Sequence, residues 1–353
     1  MRKAVKIGFI GVFCAVIGLA FPVFNIFSKQ LSMDSHENRL MTGLPQVLQS
    51  PLRELPRNLD NFLVDNSPFR YQFVLVNAGL DYALFGTSQS DQVLPGKDGW
   101  LFYKDGPNAA QPMANYQGLA ELNDSADTLA EASAGLQILS DKLAENGCTL
   151  VLDLTPSKDR IYREYMPDGY PIVNEENRTD LLVDYLQSHT TVPVNWPYQE
   201  LRRQARLNPD RLLYYKTDTH WNSIGALYGL DGIFDALGLP ILQPGDYPVE
   251  PAGTTTGDMA NVAARYASLP PEQTYTVPGY ADLFAKDDRV VRVIGDSFSE
   301  YYMPYLEARF ATTWREHIDS FDPAVVEQPG CDILILEFNE RSLDKLLAIL
   351  DSI

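Results

Sequence analysis

Apolar positions along this chain fall into three patterns, and each predicts a different kind of element. The first is an unbroken run. Residues 7–27 are rich in Ile, Val, Phe, Leu and Gly and carry no charge, while Arg2, Lys3 and Lys6 precede them. As a helix rising about 1.5 Å per residue, such a run crosses the hydrocarbon core of a bilayer. The basic flank would stay in the cytoplasm, which places everything after Lys29 outside. A cleaved signal peptide ending near Gly18-Leu19-Ala20 is the rival reading, but Phe21-Pro22 follow and the apolar run continues, which favours an uncleaved anchor. Both readings export the rest of the chain.

The second pattern repeats at three and four residues. Leu129, Ala132, Leu136, Leu139 and Leu143 make one apolar helical face that Asn146-Gly147 closes. Further helices are predicted around 59–66, 69–84, 179–187 and 341–350, and one starting beside Asn222 or Ser223 that carries Ile224, Leu227, Ile233 and Phe234. The third pattern is a short apolar run bounded by turn residues, at 149–154, 192–194, 290–294 and 333–336. Residues 93–103 read as two short strands about a Lys97-Asp98-Gly99 turn. Strands buried on both faces and separated by helices predict an α/β fold, a three-layer, mainly parallel sheet behind one N-terminal transmembrane helix. The predicted organisation is a cytoplasmic tip and anchor over 1–29, a polar, Pro-punctuated stalk over 30–57, and a catalytic body over 58–353. A Gly-, Pro- and Thr-rich inserted loop region at 243–278 would line a site.

Charge narrows the partners. Without Arg2, Lys3 and Lys6 the chain has 25 basic residues against 47 acidic ones. That balance argues against nucleic acid or anionic headgroups as the main partner. It suits a neutral or cationic polymer better than an acidic one, or simply keeps the body soluble. No Cys/His spacing resembles a zinc site, and nothing calls for a metal or other cofactor. Cys14 lies in the apolar run, while Cys148 and Cys331 each open an apolar strand, where buried free thiols are common; pairing of the two is the less favoured reading.

In an open parallel sheet, ligands collect beyond the carboxyl ends of the strands. The 290–294 strand ends in Gly295-Asp296-Ser297-Phe298-Ser299. A serine on such a turn presents its hydroxyl outward, with main-chain donors nearby for an oxyanion. The α/β-hydrolase elbow would require Gly at Ser299, so that family is not matched. Taken alone, Gly-Asp-Ser reads equally as a helix cap. A serine nucleophile needs a base, and of four histidines His36 is beside the anchor, His189 ends a polar helix and His317 sits among charges. His220 lies in Asp218-Thr219-His220-Trp221-Asn222, where an extended segment would aim Asp218 at Nδ1 and leave Nε2 for Ser297. Lys158, in the loop after the 149–154 strand, would steady an anionic substrate group or be a plain surface lysine. Trp221, Tyr301 and Tyr302 would stack on sugar faces or pack in the core.

Asp-Thr-His-Trp-Asn at 218–222, followed by Gly-Asp-Ser-Phe at 295–298, resembles the AlgJ/AlgX group of SGNH-hydrolase-like alginate O-acetyltransferases. Further matches are Glu37-Asn38-Arg39, Asp65 to Arg70, the segment from Gly96 to Tyr103, Pro156-Ser157-Lys158 with Tyr162 and Pro167, and Gly257-Asp258-Met259. The resemblance implies an SGNH-like fold with permuted triad order, with Ser297 as the acetyl-accepting nucleophile, His220 as base and Asp218 as its orienter. It further implies acetylation of an exported or cell-surface polysaccharide, often with acetyl delivered by a membrane-bound O-acyltransferase. The Gly and Asn that complete the oxyanion hole of ordinary SGNH enzymes have no evident counterpart; main-chain N–H groups near Ser297 or Gly257 are the substitutes considered. Hydrolysis by a carbohydrate acetylesterase, or a non-catalytic polysaccharide-binding or assembly subunit, are the alternatives.

Overall fold

The computed structural model describes residues 2–27, 41–105, 111–122, 125–243, 245–265 and 268–353. His36, the Glu37-Asn38-Arg39 match and residues 30–40 of the expected stalk lie outside the described residues. Two compact units are present, one of 1–89 with 261–268 and one of 90–260 with 269–353.

The first unit is helical. A helix at Arg2–Phe27 contains Pro22, and its Val5–Phe24 stretch, with a mean hydropathy of 2.5, is long and apolar enough to cross a membrane. Shorter helices follow at Leu44–Leu48, Leu55–Asp65 and Arg70–Phe85, the last closed by Gly86 in the left-handed region.

The second unit carries the sheet. Strands β1 (Val93–Pro95) and β2 (Leu101–Tyr103) pair antiparallel around Lys97–Gly99, as the turn residues predict. β3 (Thr149–Thr155) and the two-residue β4 (Val194–Asn195) come next. The 243–278 region folds in part: β5 (Glu250–Thr255) and β6 (Glu272–Thr276) form an antiparallel pair of their own. β7 (Asp287–Gly295), β8 (Phe310–His317) and β9 (Ile333–Asn339) complete a five-stranded sheet of order β4-β3-β9-β7-β8, parallel throughout.

Alternate strand residues feed two cores. On one face Leu150, Leu152, Leu154, Leu334, Leu336 and Phe338 meet Leu136, Leu139 and Leu143 of the Ser125–Glu145 helix, with Leu182 and Leu346 from two further helices. On the other, Val151, Val291, Val293, Ile333 and Ile335 share a core with Trp221, Ile224, Phe234 and Leu306. A sheet covered on both sides is the expected three-layer architecture. Each fully buried leucine contributes about 1.5–3 kcal/mol by leaving water, and all seven residues of β9 are buried.

Two elements depart from the sequence reading. The helix begun by Ser223 ends at Gly229, and a second one, Asp231–Ala236, carries Ile233 and Phe234. The segment holding Asp218 and His220 is not extended: a single antiparallel bridge, Tyr214 to Trp221, closes it into a tight turn.

Candidate active site

β7, β9 and β3 end side by side, and the chain leaving β7 turns at once. Asp296 makes that turn. Its Oδ1 accepts the Phe298 N–H at 2.9 Å, starting a short 3-10 helix over Ser297–Tyr301, and its Oδ2 accepts the Asn339 N–H at 3.0 Å from the end of β9. Arg315 on β8 donates to the Asp296 carbonyl at 2.7 Å and to Ser299 Oγ at 2.6 Å. Gly295 is needed here, because a Cβ would stand 2.6 Å from Glu337 Oε2 and 2.9 Å from Ser299 Oγ.

The turn over 214–221 meets this corner. Ser297 Oγ lies 2.7 Å from His220 Nε2, and His220 Nδ1 lies 2.6 Å from Asp218 Oδ1. An ionised carboxylate only accepts, so Nδ1 carries the proton and Nε2 offers its lone pair to the hydroxyl. Asp218 also accepts the His220 N–H at 3.0 Å on Oδ1 and the Asp258 N–H at 3.0 Å on Oδ2. Burial works to raise its carboxyl, but the hydrogen bond and charge of His220, with these two main-chain donors, outweigh that and hold it at about 2. The Asp-x-His pair thus meets through a tight turn rather than the expected two-residue alternation of an extended strand. The Trp221 indole donates to the Phe298 carbonyl at 3.0 Å, tying the His220-bearing turn to the Ser297-bearing one.

Charged side chains hold the His220-bearing turn from both sides. Lys158 is buried, and its Nζ donates to the carbonyls of Tyr215 (3.1 Å), Lys216 (2.9 Å) and Asp218 (2.6 Å). With three N–H bonds made inside the protein, it has none left for a substrate anion, so the structure corrects both expectations for this residue, anion holder and surface lysine. On the other side Glu272 accepts the N–H groups of Lys216 at 2.5 Å and Thr217 at 2.8 Å, and the Thr217 hydroxyl. Asp258 accepts the Thr219 N–H at 2.8 Å and its hydroxyl at 2.7 Å, with Oδ2 4.0 Å from His220 Nδ1. Neither Glu272 nor Arg315 was visible in the sequence as a site residue. Asp258 was marked only by its Gly-Asp-Met setting.

The remaining sequence candidates divide by burial. Trp221 and Tyr302 are fully buried, so the core, not a sugar, takes their faces. Tyr301 is half-buried and stacks on His220, with centroids 5.3 Å apart and planes at 25°. Gly257 is buried against the turn, and a Cβ there would lie 2.1 Å from the Thr217 carbonyl. The separated motifs of the sequence converge on this same turn. Leu101 donates to the Lys216 carbonyl at 2.9 Å, the Tyr162 hydroxyl accepts the Leu213 N–H at 2.8 Å, and Lys158 lies 5.7 Å over the Trp100 ring.

Three carboxylic acids lie beneath the serine turn. Asp153 on β3 and Gly295 on β7 are both register partners of Glu337 on β9, and Asp296 follows Gly295. Burial first, and the neighbouring Asp296 charge, push Asp153 up to about 7 and Glu337 well above the usual carboxyl range. Asp153 Oδ2, Glu337 Oε2 and the Tyr302 hydroxyl are buried without a hydrogen-bond partner among the described residues. A cavity of about 320 Å³ opens on another side of the His220-bearing turn, lined by Tyr215, Lys216, Glu272 and Tyr275 among others; Asp218, His220 and Ser297 are not part of its wall.

A family model described as "SGNH hydrolase-like domain, acetyltransferase AlgX" matches residues 93–313. The probable alginate O-acetylase AlgJ of Pseudomonas putida is 25% identical over 227 residues, covering 62% of this chain and 53% of the relative. Its counterpart from Pseudomonas syringae pv. tomato is 26% identical over 330 residues, covering 85% of this chain and 74% of the relative. The chain therefore spans about half the length of the first relative and three quarters of the second. Among solved structures, the O-acetyltransferase domain of Pseudomonas putida AlgJ aligns with a TM-score of 0.49 at 19% identity, covering 74% of this chain and 98% of that one. Bacillus cereus PatB1 with a sulfonyl adduct aligns with a TM-score of 0.48 at 15% identity, covering 73% and 97%.

Proposed function

The chain belongs to the SGNH hydrolase-like AlgX acetyltransferase family, and we propose that it is an O-acetyltransferase that places acetyl groups on an exported or cell-surface polysaccharide through an acetyl-serine intermediate. The observation that carries this reading is the relay from Ser297 through His220 to Asp218, with contacts of 2.7 and 2.6 Å. The curated relatives named for alginate O-acetylation support a polysaccharide as acceptor.

In the first step His220 Nε2 takes the Ser297 proton as Oγ attacks the acetyl carbonyl, and Asp218 stabilises the imidazolium that forms. The Phe298 and Ser299 N–H groups are committed to Asp296, so the oxyanion falls to the Ser297 N–H. The proton then passes from His220 to the leaving group. In the second step a sugar hydroxyl gives its proton to His220 and attacks the acetyl-serine; the Oγ–acyl bond breaks, His220 returns the proton to Ser297 Oγ, and the acetylated sugar leaves. In this reading the Val5–Phe24 helix anchors the protein, residues 30–57 space the body from the bilayer, and residues 58–353 work outside the cytoplasm. There a membrane-bound O-acyltransferase would supply acetyl.

The test uses the full chain in detergent with an activated acetyl ester and oligosaccharide acceptors, read by mass spectrometry. Acetylated oligosaccharide should form and fall by about 10³-fold or more in Ser297→Ala. Free acetate unaffected by acceptor would make the protein an esterase. Equal product from Ser297→Ala would remove the serine mechanism, and acceptor binding without turnover would leave a binding subunit.

A further inference from the structure

We propose that Cys148 and Cys331 are joined by a disulfide in the mature protein, a covalent tie between the starts of the two central strands. This rests on the reading that residues after the anchor lie outside the cytoplasm, where disulfides form and persist.

The chain has three cysteines, and Cys14 lies within the membrane-length helix. The part read as exported therefore contains only two, separated by 183 residues, and the fold brings their Sγ atoms to 3.5 Å. Each sits just before a strand, Cys148 ahead of β3 and Cys331 ahead of β9, and those strands pair from Thr149 and Ile333 onward. Cys148 and Cys331 are thus diagonal neighbours at the end of the sheet opposite the active site. Thr149 donates to the Asp332 carbonyl at 2.8 Å, fixing the two strand starts against each other. On strand starts already paired, the sulfurs have about 1.5 Å to close to reach the bond length of about 2 Å.

Cys148 is 1% and Cys331 9% exposed, so the bond forms as the chain folds, before the sheet end is covered. The two thiols lose two protons and two electrons. The oxidant is a disulfide, either of a dithiol oxidoreductase or of a small thiol, which is reduced to two thiols as the Cys148–Cys331 bond is made. Once formed the bond is shielded from exchange, as a structural disulfide is, and it closes a long loop, which restricts the unfolded chain most.

The full chain is trapped with iodoacetamide at lysis, denatured and mapped with and without reduction, while protease treatment of intact cells or spheroplasts reports which side the body occupies. The expected result is alkylation at Cys14 alone, a linked Cys148–Cys331 peptide two hydrogens lighter than the reduced pair, and three alkylated thiols after reduction. Free thiols at Cys148 and Cys331 in a body accessible to external protease overturn the proposal. If the body is inaccessible, the exported reading fails instead, and refolding of the purified chain in glutathione disulfide then decides. Failure to form the Cys148–Cys331 link there overturns the geometric claim, and its formation, absent from the Cys331→Ser variant, upholds it.

Discussion

At the scale of single residues, Lys158 separates activity from stability. Burial, the largest influence, holds its ammonium down at about 8 against the attraction of Glu272, Asp218, Asp258 and Asp159. Below that pH three N–H donors serve three carbonyls; above it a neutral amine has two. Turnover should therefore fall on the alkaline side with a midpoint near 8. Stability moves the other way. A lysine whose folded value lies below its unfolded 10.5 binds fewer protons when folded, so unfolding free energy rises with pH between about 8 and 10.5. Lys158→Met should lower kcat by about 10-fold to 100-fold, leave KM near its native value, and abolish that alkaline limb. Retention of the native pH–rate profile by this variant would show that the limb belongs to another group. The same residue marks the boundary of what the sequence made legible. The meeting of Ser297, His220 and Asp218 is legible in the sequence because a short motif carries them. The task of Lys158 is not legible in the sequence, since its three partners lie 57–60 residues further along the chain.

At the scale of elements, the base-bearing turn is fixed by close approach as well as charge. Gly257→Ala would drive a methyl group into the Thr217 carbonyl at 2.1 Å. A displacement near 1 Å at His220 costs about 10²-fold in rate, so kcat is expected to fall by that order with circular dichroism unchanged and the unfolding midpoint lowered only by the few degrees that about 1–3 kcal/mol of overpacking costs. A large drop in the midpoint instead would mean that the glycine serves the fold rather than the site. The core strands were readable for a simple reason. β3, β9 and the end of β7 are buried on both faces and show as continuous apolar runs. β8 was missed because it is an edge strand whose Thr, Trp, Arg and Glu residues leave no such run. The Tyr198–Leu207 helix was missed because Arg, Gln and Glu outnumber its apolar positions, although Leu201 and Ala205 are buried. The β5–β6 pair, exposed along most of β5 and only half-buried along β6, has no apolar alternation to read.

At the scale of the whole molecule, the carboxyl groups beneath the serine turn set how stability follows acidity. Asp153 ionises at about 7 in the folded protein against 3.8 in the open chain. The folded state thus binds more protons across that interval, and stability falls as pH rises from about 4 to 7. Above 7 the full cost of a buried charge remains. Asp153→Asn keeps an acceptor for the Asn195 amide, which donates to Asp153 Oδ1 at 2.7 Å, and removes the charge. The variant should be more stable than the native chain by roughly 2–4 kcal/mol at pH 8 and nearly equal at pH 4 in urea unfolding. A constant difference at both pH values would show that packing, not ionisation, was changed. Asp218 acts in the opposite sense: its depressed carboxyl adds stability above about 4 that is lost as pH falls towards 2.

The turn between Tyr214 and Trp221 has one main-chain bridge of its own, accepts the Leu101 and Ala260 N–H groups, and is otherwise laced down by ammonium and carboxylate groups. Such lacing loosens in chaotropic solution well before seven-residue strands part. Dilute guanidinium should therefore silence the protein while its spectrum still reports an intact sheet, and dilution should restore it within the time a loop takes to settle. The machine would switch off at its hinge pin, not by coming apart.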